Sequence, residues 1–177
     1  MTYSPAVPVE SATYRHFAVS TVSRGQPPRG IQSATPASAA WPLANLAIYV
    51  PIYFNEAGTI FQVGCGAGAT AGGNFDIGLY DMAGNKIQTT GTQARTNSAW
   101  NAVNWTDLAI APGWYYAAMA ADGTNNYSAH VPVAGLLEAV GVCEQQTAFV
   151  LPATATLTRT TRAFNPNITF TLRSVAI

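Results

Sequence analysis

The sequence predicts an all-β protein: an antiparallel jelly-roll β-sandwich carrying an extended N-terminal arm. Three observations lead there. Apolar residues alternate with period two along several short segments, Gly, Pro and Asn-rich turns separate those segments at regular spacing, and no long amphipathic helical pattern interrupts them. About eight such strands make a jelly roll the most economical topology.

Residues 1–42 read as the arm and 43–177 as the sandwich domain. The arm holds Pro5, Pro8, Pro27, Pro28, Pro36 and Pro42 among Ser, Thr and Ala, and only the stretch from Tyr14 to Val22 has strand character. The SRGQPPRG run beyond it suits neither helix nor regular sheet. Tyr3, Tyr14, Phe17 and Ile31, with Arg24 and Arg29, make the arm a candidate partner-binding segment, because a solvated linker rarely spends aromatic residues.

From Asn45 the period-two pattern is clear. Leu46, Ile48, Val50, Ile52 and Phe54 share one face of a strand and Tyr49 and Tyr53 the other, with Pro51 implying an edge or a bulge. A second strand carries Phe61, Val63 and Cys65. The GAGATAGGN loop that follows lacks the Lys and Ser/Thr of a phosphate-binding loop. Phe75, Ile77 and Leu79 mark a third strand, and Ala83-Gly84-Asn85-Lys86 a hairpin turn. Trp100 to Leu108 follows, with Val103 and Trp105 on one face. Pro112-Gly113 breaks before Trp114 to Ala120, whose bulk on both faces suits a central strand. Leu136, Leu137 and Val140 suggest one helical turn. Strands are then expected near Thr147 to Leu151, Thr154 to Arg162 and Ile168 to Ile177, the last with a bulge near Arg173 or Ser174.

Charge is the most unusual property. Acidic and basic residues together make up 9% of the 177, the net charge is zero, and Lys86 is the single lysine. An ordinary domain carries roughly a quarter charged residues. Thr, Ser, Asn, Gln and backbone must therefore build the polar surface, which a protein neighbour covers without desolvating many charges. The seven arginines are scattered, so no nucleic-acid footprint is expected. The N-terminus lacks the basic start and apolar core of a secretory signal, and no apolar run is long enough to span a bilayer.

Two segments together resemble a known group. Ile77-Gly78-Leu79-Tyr80-Asp81 with its Ala83–Lys86 turn, and Leu108 through Pro112-Gly113 to Trp114-Tyr115-Tyr116-Ala117, are similar to strand-turn-strand units of jelly-roll structural proteins of tailed-bacteriophage virions. The likeness covers residues 45–177. It implies a virion component of the capsid-decoration, head-fibre or tail-fibre type, made in the bacterial host cytoplasm and homo-oligomeric, with a trimer as the expected form. Its partners would be other virion proteins. Related sandwiches also serve as carbohydrate-binding modules, and here Trp100, Trp105 and Tyr127 are the candidate glycan platform, with Asn101 or Asn104 to fix hydroxyls.

No constellation points to catalysis, a metal or a cofactor. His16 and His130 have no carboxylate or cysteine nearby in sequence, and hydrogen-bonded structural roles are expected for both. Asp76 and Asp81 fall on opposite faces of one strand, and turn-forming roles account for Asp81 and Asp122. Cys65 and Cys143 match no redox or metal spacing and are expected to be free and buried.

Overall fold

The computed structural model describes residues 14–18, 37–133 and 135–174. Within them run β1 (Tyr14–Ala18), β2 (Ala37–Ala40), β3 (Leu46–Phe54), β4 (Gly58–Gly66), β5 (Asn74–Tyr80), β6 (Lys86–Thr89), β7 (Gln93–Ala94), β8 (Trp100–Ile110), β9 (Gly113–Ala121) and β10 (Asn126–His130). The turn α1 (Leu136–Ala139) then leads to β11 (Cys143–Gln145), β12 (Thr158–Arg159), β13 (Asn165–Pro166) and β14 (Ile168–Ser174). Tyr3, Arg24, Arg29 and Ile31 of the predicted partner-binding set lie outside the described residues.

All pairings among the described residues are antiparallel. A seven-stranded sheet has the order β12-β11-β3-β9-β5-β6, with β7 also on β5. Opposite it lie a four-stranded sheet, β1-β14-β4-β8, and a three-stranded one, β13-β10-β2. A bridge between Ala67 and Tyr127 ties the two smaller sheets together. Leu46, Ile48, Val50, Ile52 and Phe54 of β3 meet Ile60, Val63, Phe170 and Tyr127 of the smaller sheets in one continuous core. The alternation read from the sequence thus puts the expected face of β3 inside.

The opposite face of the large sheet is covered as well. Ala47, Tyr49, Tyr80, Tyr116, Ala118 and Ala120 pack beneath Ala148, Leu151 and Ala155. These last three belong to residues 146–157, a strap where the sequence suggested two strands. Only Thr158–Arg159 pairs as strand. The small alanine face of β3 and β9 lets the strap lie flat on the sheet, so its backbone bonds to turns and side chains below rather than along a ladder.

At Pro51, β3 is locally an edge, as expected, because β11 begins opposite Tyr49 and leaves that flank free of a ladder. Three further expectations are corrected. The bulge lies in β4 at Phe61, which both neighbouring strands skip, rather than near Arg173. Phe61 is thereby turned out of phase with Val63 and Cys65, and the Arg173 guanidinium stacks over its ring at 4.5 Å. Ile60 takes the inner position instead. Finally, β2 pairs with β10, and Trp41 packs edge-on against Tyr127 and Phe164, so the last residues assigned to the arm belong to the body.

Candidate binding surfaces

The strap does not cover the whole outer face of the large sheet. Where it ends, Tyr53 of β3 and Trp114 of β9 stand as a cross-strand pair. Their rings are 5.2 Å apart and tilted by 52°. Tyr53 is 42% exposed and Trp114 58% exposed. Both grow from central strands, so the patch is rigidly mounted. Alternation forces the placement: Ile52, Phe54 and Tyr115 point into the core, leaving Tyr53 and Trp114 nowhere to go but out.

Beneath the strap, Asp76 is fully buried. It accepts hydrogen bonds from the Thr90 hydroxyl at 2.9 Å and the Leu151 amide at 3.0 Å. Burial raises its pKa above the usual carboxylate range, against the opposing pull of those bonds and of Lys86. The Tyr80 hydroxyl donates to the Pro152 carbonyl at 2.6 Å, and Lys86 Nζ to the Leu151 carbonyl at 3.1 Å. Burial likewise raises the Tyr49 and Tyr80 hydroxyls, which stay protonated. The Asp76 region is a fastening, closed off by its own strap.

The glycine-rich loop, read from sequence as a plain loop, is organised by Arg95. Its buried guanidinium donates to the carbonyls of Thr70, Gly72, Gly68 and Asn126 and lies 5.0 Å over the Tyr127 ring. No motif announces this residue. The available signal was an isolated cation close behind a glycine-rich run in a charge-poor chain.

The three candidate platform rings do not come together. Trp100 is 48% exposed, whereas Trp105 packs in the core against Phe170 and Tyr127 lies between Trp41 and Arg95. A separation of five residues along one strand puts Trp100 and Trp105 on opposite faces. Asn101 closes its own turn through Thr96, and Asn104 bonds Gln62. Of the arm set, Tyr14 and Phe17 fall in β1, which pairs along β14.

The remaining candidates have internal partners. Asp81 forms the hairpin turn, and the Asn85 side chain and the Asn85 and Ala83 amides hold its carboxylate below the usual range. Cys65 and Cys143 are free and buried, and burial pushes the Cys65 thiol up to about 12. Arg162 pairs with Glu144 at 3.1 Å. Among the described residues, no three His, Cys, Asp or Glu side chains gather to hold a metal, and no helix is long and apolar enough to cross a membrane. Comparison with protein-family models, curated proteins and solved structures finds no match to the chain.

Proposed function

We propose that this chain is a non-enzymatic structural component of a virion. In this reading it is a jelly-roll-type sandwich that decorates or cements a tailed-phage capsid or forms part of a fibre. It acts as a homo-oligomer and is anchored by its N-terminal arm. The observation that carries the reading is the bare Tyr53–Trp114 pair on a body with so few charges. Aromatic side chains exposed on rigid central strands are the anchors protein interfaces favour, and a neutral surround lowers the cost of covering them.

Two further features support it. The chain changes layer from β3 to β4, from β4 to β5 and from β8 to β9, a habit of jelly rolls. The pairing of β1 along β14 gives the arm the chemistry to extend a sheet edge. In an assembly, the same edge of a neighbouring copy offers the same bonds.

The test compares wild type with a Tyr53→Ser, Trp114→Ser double variant, by light scattering and by incorporation into particles. The wild type is expected to assemble with weak dependence on salt, and the variant to fold but remain monomeric and unincorporated. A chain starting at Ala37, which keeps β2 and Trp41, should fold and fail to incorporate. A monomeric wild type, or incorporation unaffected by both changes, sinks the reading.

A further inference from the structure

We propose that Tyr53, Trp114 and Arg159 form the seat for the Pro5–Glu10 segment of a neighbouring copy of this chain, an inference that rests on the assembly proposed above.

Alternation on β3 builds the seat. Pro51 and Tyr53 share its outer face, and their cross-strand partners on β9 are Tyr116 and Trp114. Tyr116 is packed under the strap, so the open part of this row runs from the half-buried Pro51 to the two exposed rings. Arg159 stands at the Pro51 end. A Cβ on Gly141 would meet Arg159 Nη1 at 2.7 Å and Pro51 Cγ at 3.3 Å, which puts the guanidinium beside the proline. Arg159 is exposed and donates to the Glu138 carbonyl at 3.4 Å. Among the described residues it has no carboxylate partner, whereas Arg162 and Arg173 each have one. The row therefore passes from aromatic to cationic, and an extended apolar segment followed by one carboxylate complements it.

The sequence ahead of β1 carries those groups in that order: Pro5-Ala-Val-Pro8-Val-Glu10. Prolines three residues apart share one face of a polyproline II turn, the form in which aromatic-lined surfaces take proline-rich segments. Glu10 is the single acidic residue among residues 1–42. The spacing also fits. Glu10 is two residues past Pro8, about 6 Å in polyproline II. Pro51 is two residues before Tyr53, about 7 Å along a strand. With Pro8 against the rings, the Glu10 carboxylate comes to Arg159. The other proline-rich stretch of the arm, around Pro27-Pro28, carries Arg24 and Arg29, which Arg159 repels.

The segment comes from a neighbour because β1 is pinned along β14, in the layer opposite the seat. Pro8 is six residues ahead of Tyr14, at most about 20 Å of chain. Within one copy that length would have to cross the ~10 Å between layers and then double back over the outer face of the large sheet. Between copies it runs straight. Segment and seat are different surfaces of one chain, so the contact is head-to-tail and closes as a ring.

The experiment is light scattering on full-length variants at millimolar concentration and through a dilution series. The wild type is expected to be an oligomer, and the Pro5→Ser, Pro8→Ser variant a folded monomer. Mixed with the Tyr53→Ser, Trp114→Ser variant, which keeps the segment and lacks the rings, the Pro5→Ser, Pro8→Ser variant should form a one-to-one dimer through the single intact contact. Glu10→Arg and Arg159→Glu should each weaken association about tenfold, and the two combined should restore it to within about threefold of wild type. Undiminished association of the proline variant overturns the inference and leaves the assembly reading standing, whereas a monomeric wild type removes both. A mixture that stays monomeric also overturns it, as does a combined charge variant no better than either single one.

Discussion

Two irregular segments close this sandwich, and one buried ionisable side chain holds each, Arg95 as a donor and Asp76 as an acceptor. Residues 66–73 rest on Arg95, whose guanidinium collects four backbone carbonyls. Residues 146–157 rest on Asp76, whose carboxylate takes the Leu151 amide and the Thr90 hydroxyl. Among the described residues, neither Arg95 nor Asp76 stands in a salt bridge. The hydrogen-bonding sense of each side chain matches what its segment presents: carbonyls in the glycine loop, the Leu151 amide in the strap. In a chain with so few ions, a single buried polar side chain does the work that a regular ladder does elsewhere.

The segments differ in what else supports them. The strap also buries Ala148, Leu151 and Ala155 and bonds to turns through Ala148, Ala153 and Ala155. The glycine loop has almost no side chain to bury, and its further support is Asn125, which donates to Ala71 and Gly72, with backbone bonds at Ala67, Gly68 and Gly73. Arg95 is therefore the more critical of the two side chains. Arg95→Met should leave the Thr70 carbonyl without a donor, take one of two donors from the Gly68, Gly72 and Asn126 carbonyls, and cost about 2 kcal/mol or more. Arg95→Lys should recover only part, since an ammonium lacks the planar fork. Urea unfolding measures both, and a loss below about 1 kcal/mol for Arg95→Met would reverse the ranking.

The same contrast explains what could be read in advance. β3, β5 and β9 were legible because one face of each is wholly apolar, and the helical turn at Leu136–Ala139 and the Asp81 hairpin follow from local chemistry. The strap was not. Thr154 to Arg162 alternates like a strand, but it lies on alanines small enough to let a backbone cross them, a property of residues in β3 and β9, far earlier in the chain. Arg95 hid for the same reason, since its acceptors come from Gly68, Thr70, Gly72 and Asn126. Which of the platform rings stays exposed was not legible, because the burial of Trp105 and Tyr127 depends on Phe170 and Trp41 across the core.

Asp76 sharpens the comparison through pH. Burial raises its carboxyl above the usual range, so the native state holds this proton more tightly than the unfolded chain does. Its contribution is therefore full at low pH and declines as pH rises from the ordinary carboxylate pKa through the raised one. Asp81, held low by Asn85 and Ala83, acts in the opposite sense and contributes above the ordinary value. Asp76→Asn removes the first slope. Melting temperatures from pH 3 to pH 8 should show the variant gaining on wild type as pH rises. A constant difference across that range would mean the carboxylate is no more costly to ionise inside than out.

The smallest expected effect tests whether the strap fastening is a single electrostatic unit. Lys86 Nζ bonds the Leu151 carbonyl, one peptide group away from the amide that Asp76 accepts, and its charge favours the ionised carboxylate. The side chain is exposed, so Lys86→Met should change stability by about 0.5 kcal/mol or less at neutral pH. Its signature lies in the pH profile. Without the cation, the Asp76 pKa moves further up, and the window over which the protein loses stability extends to higher pH. In the Asp76→Asn background that extension has no carboxyl to act on and should vanish. Persistence of the pH effect there would show that Lys86 acts on another group, and that the strap is held by its alanines and leucine rather than by paired charges across its backbone.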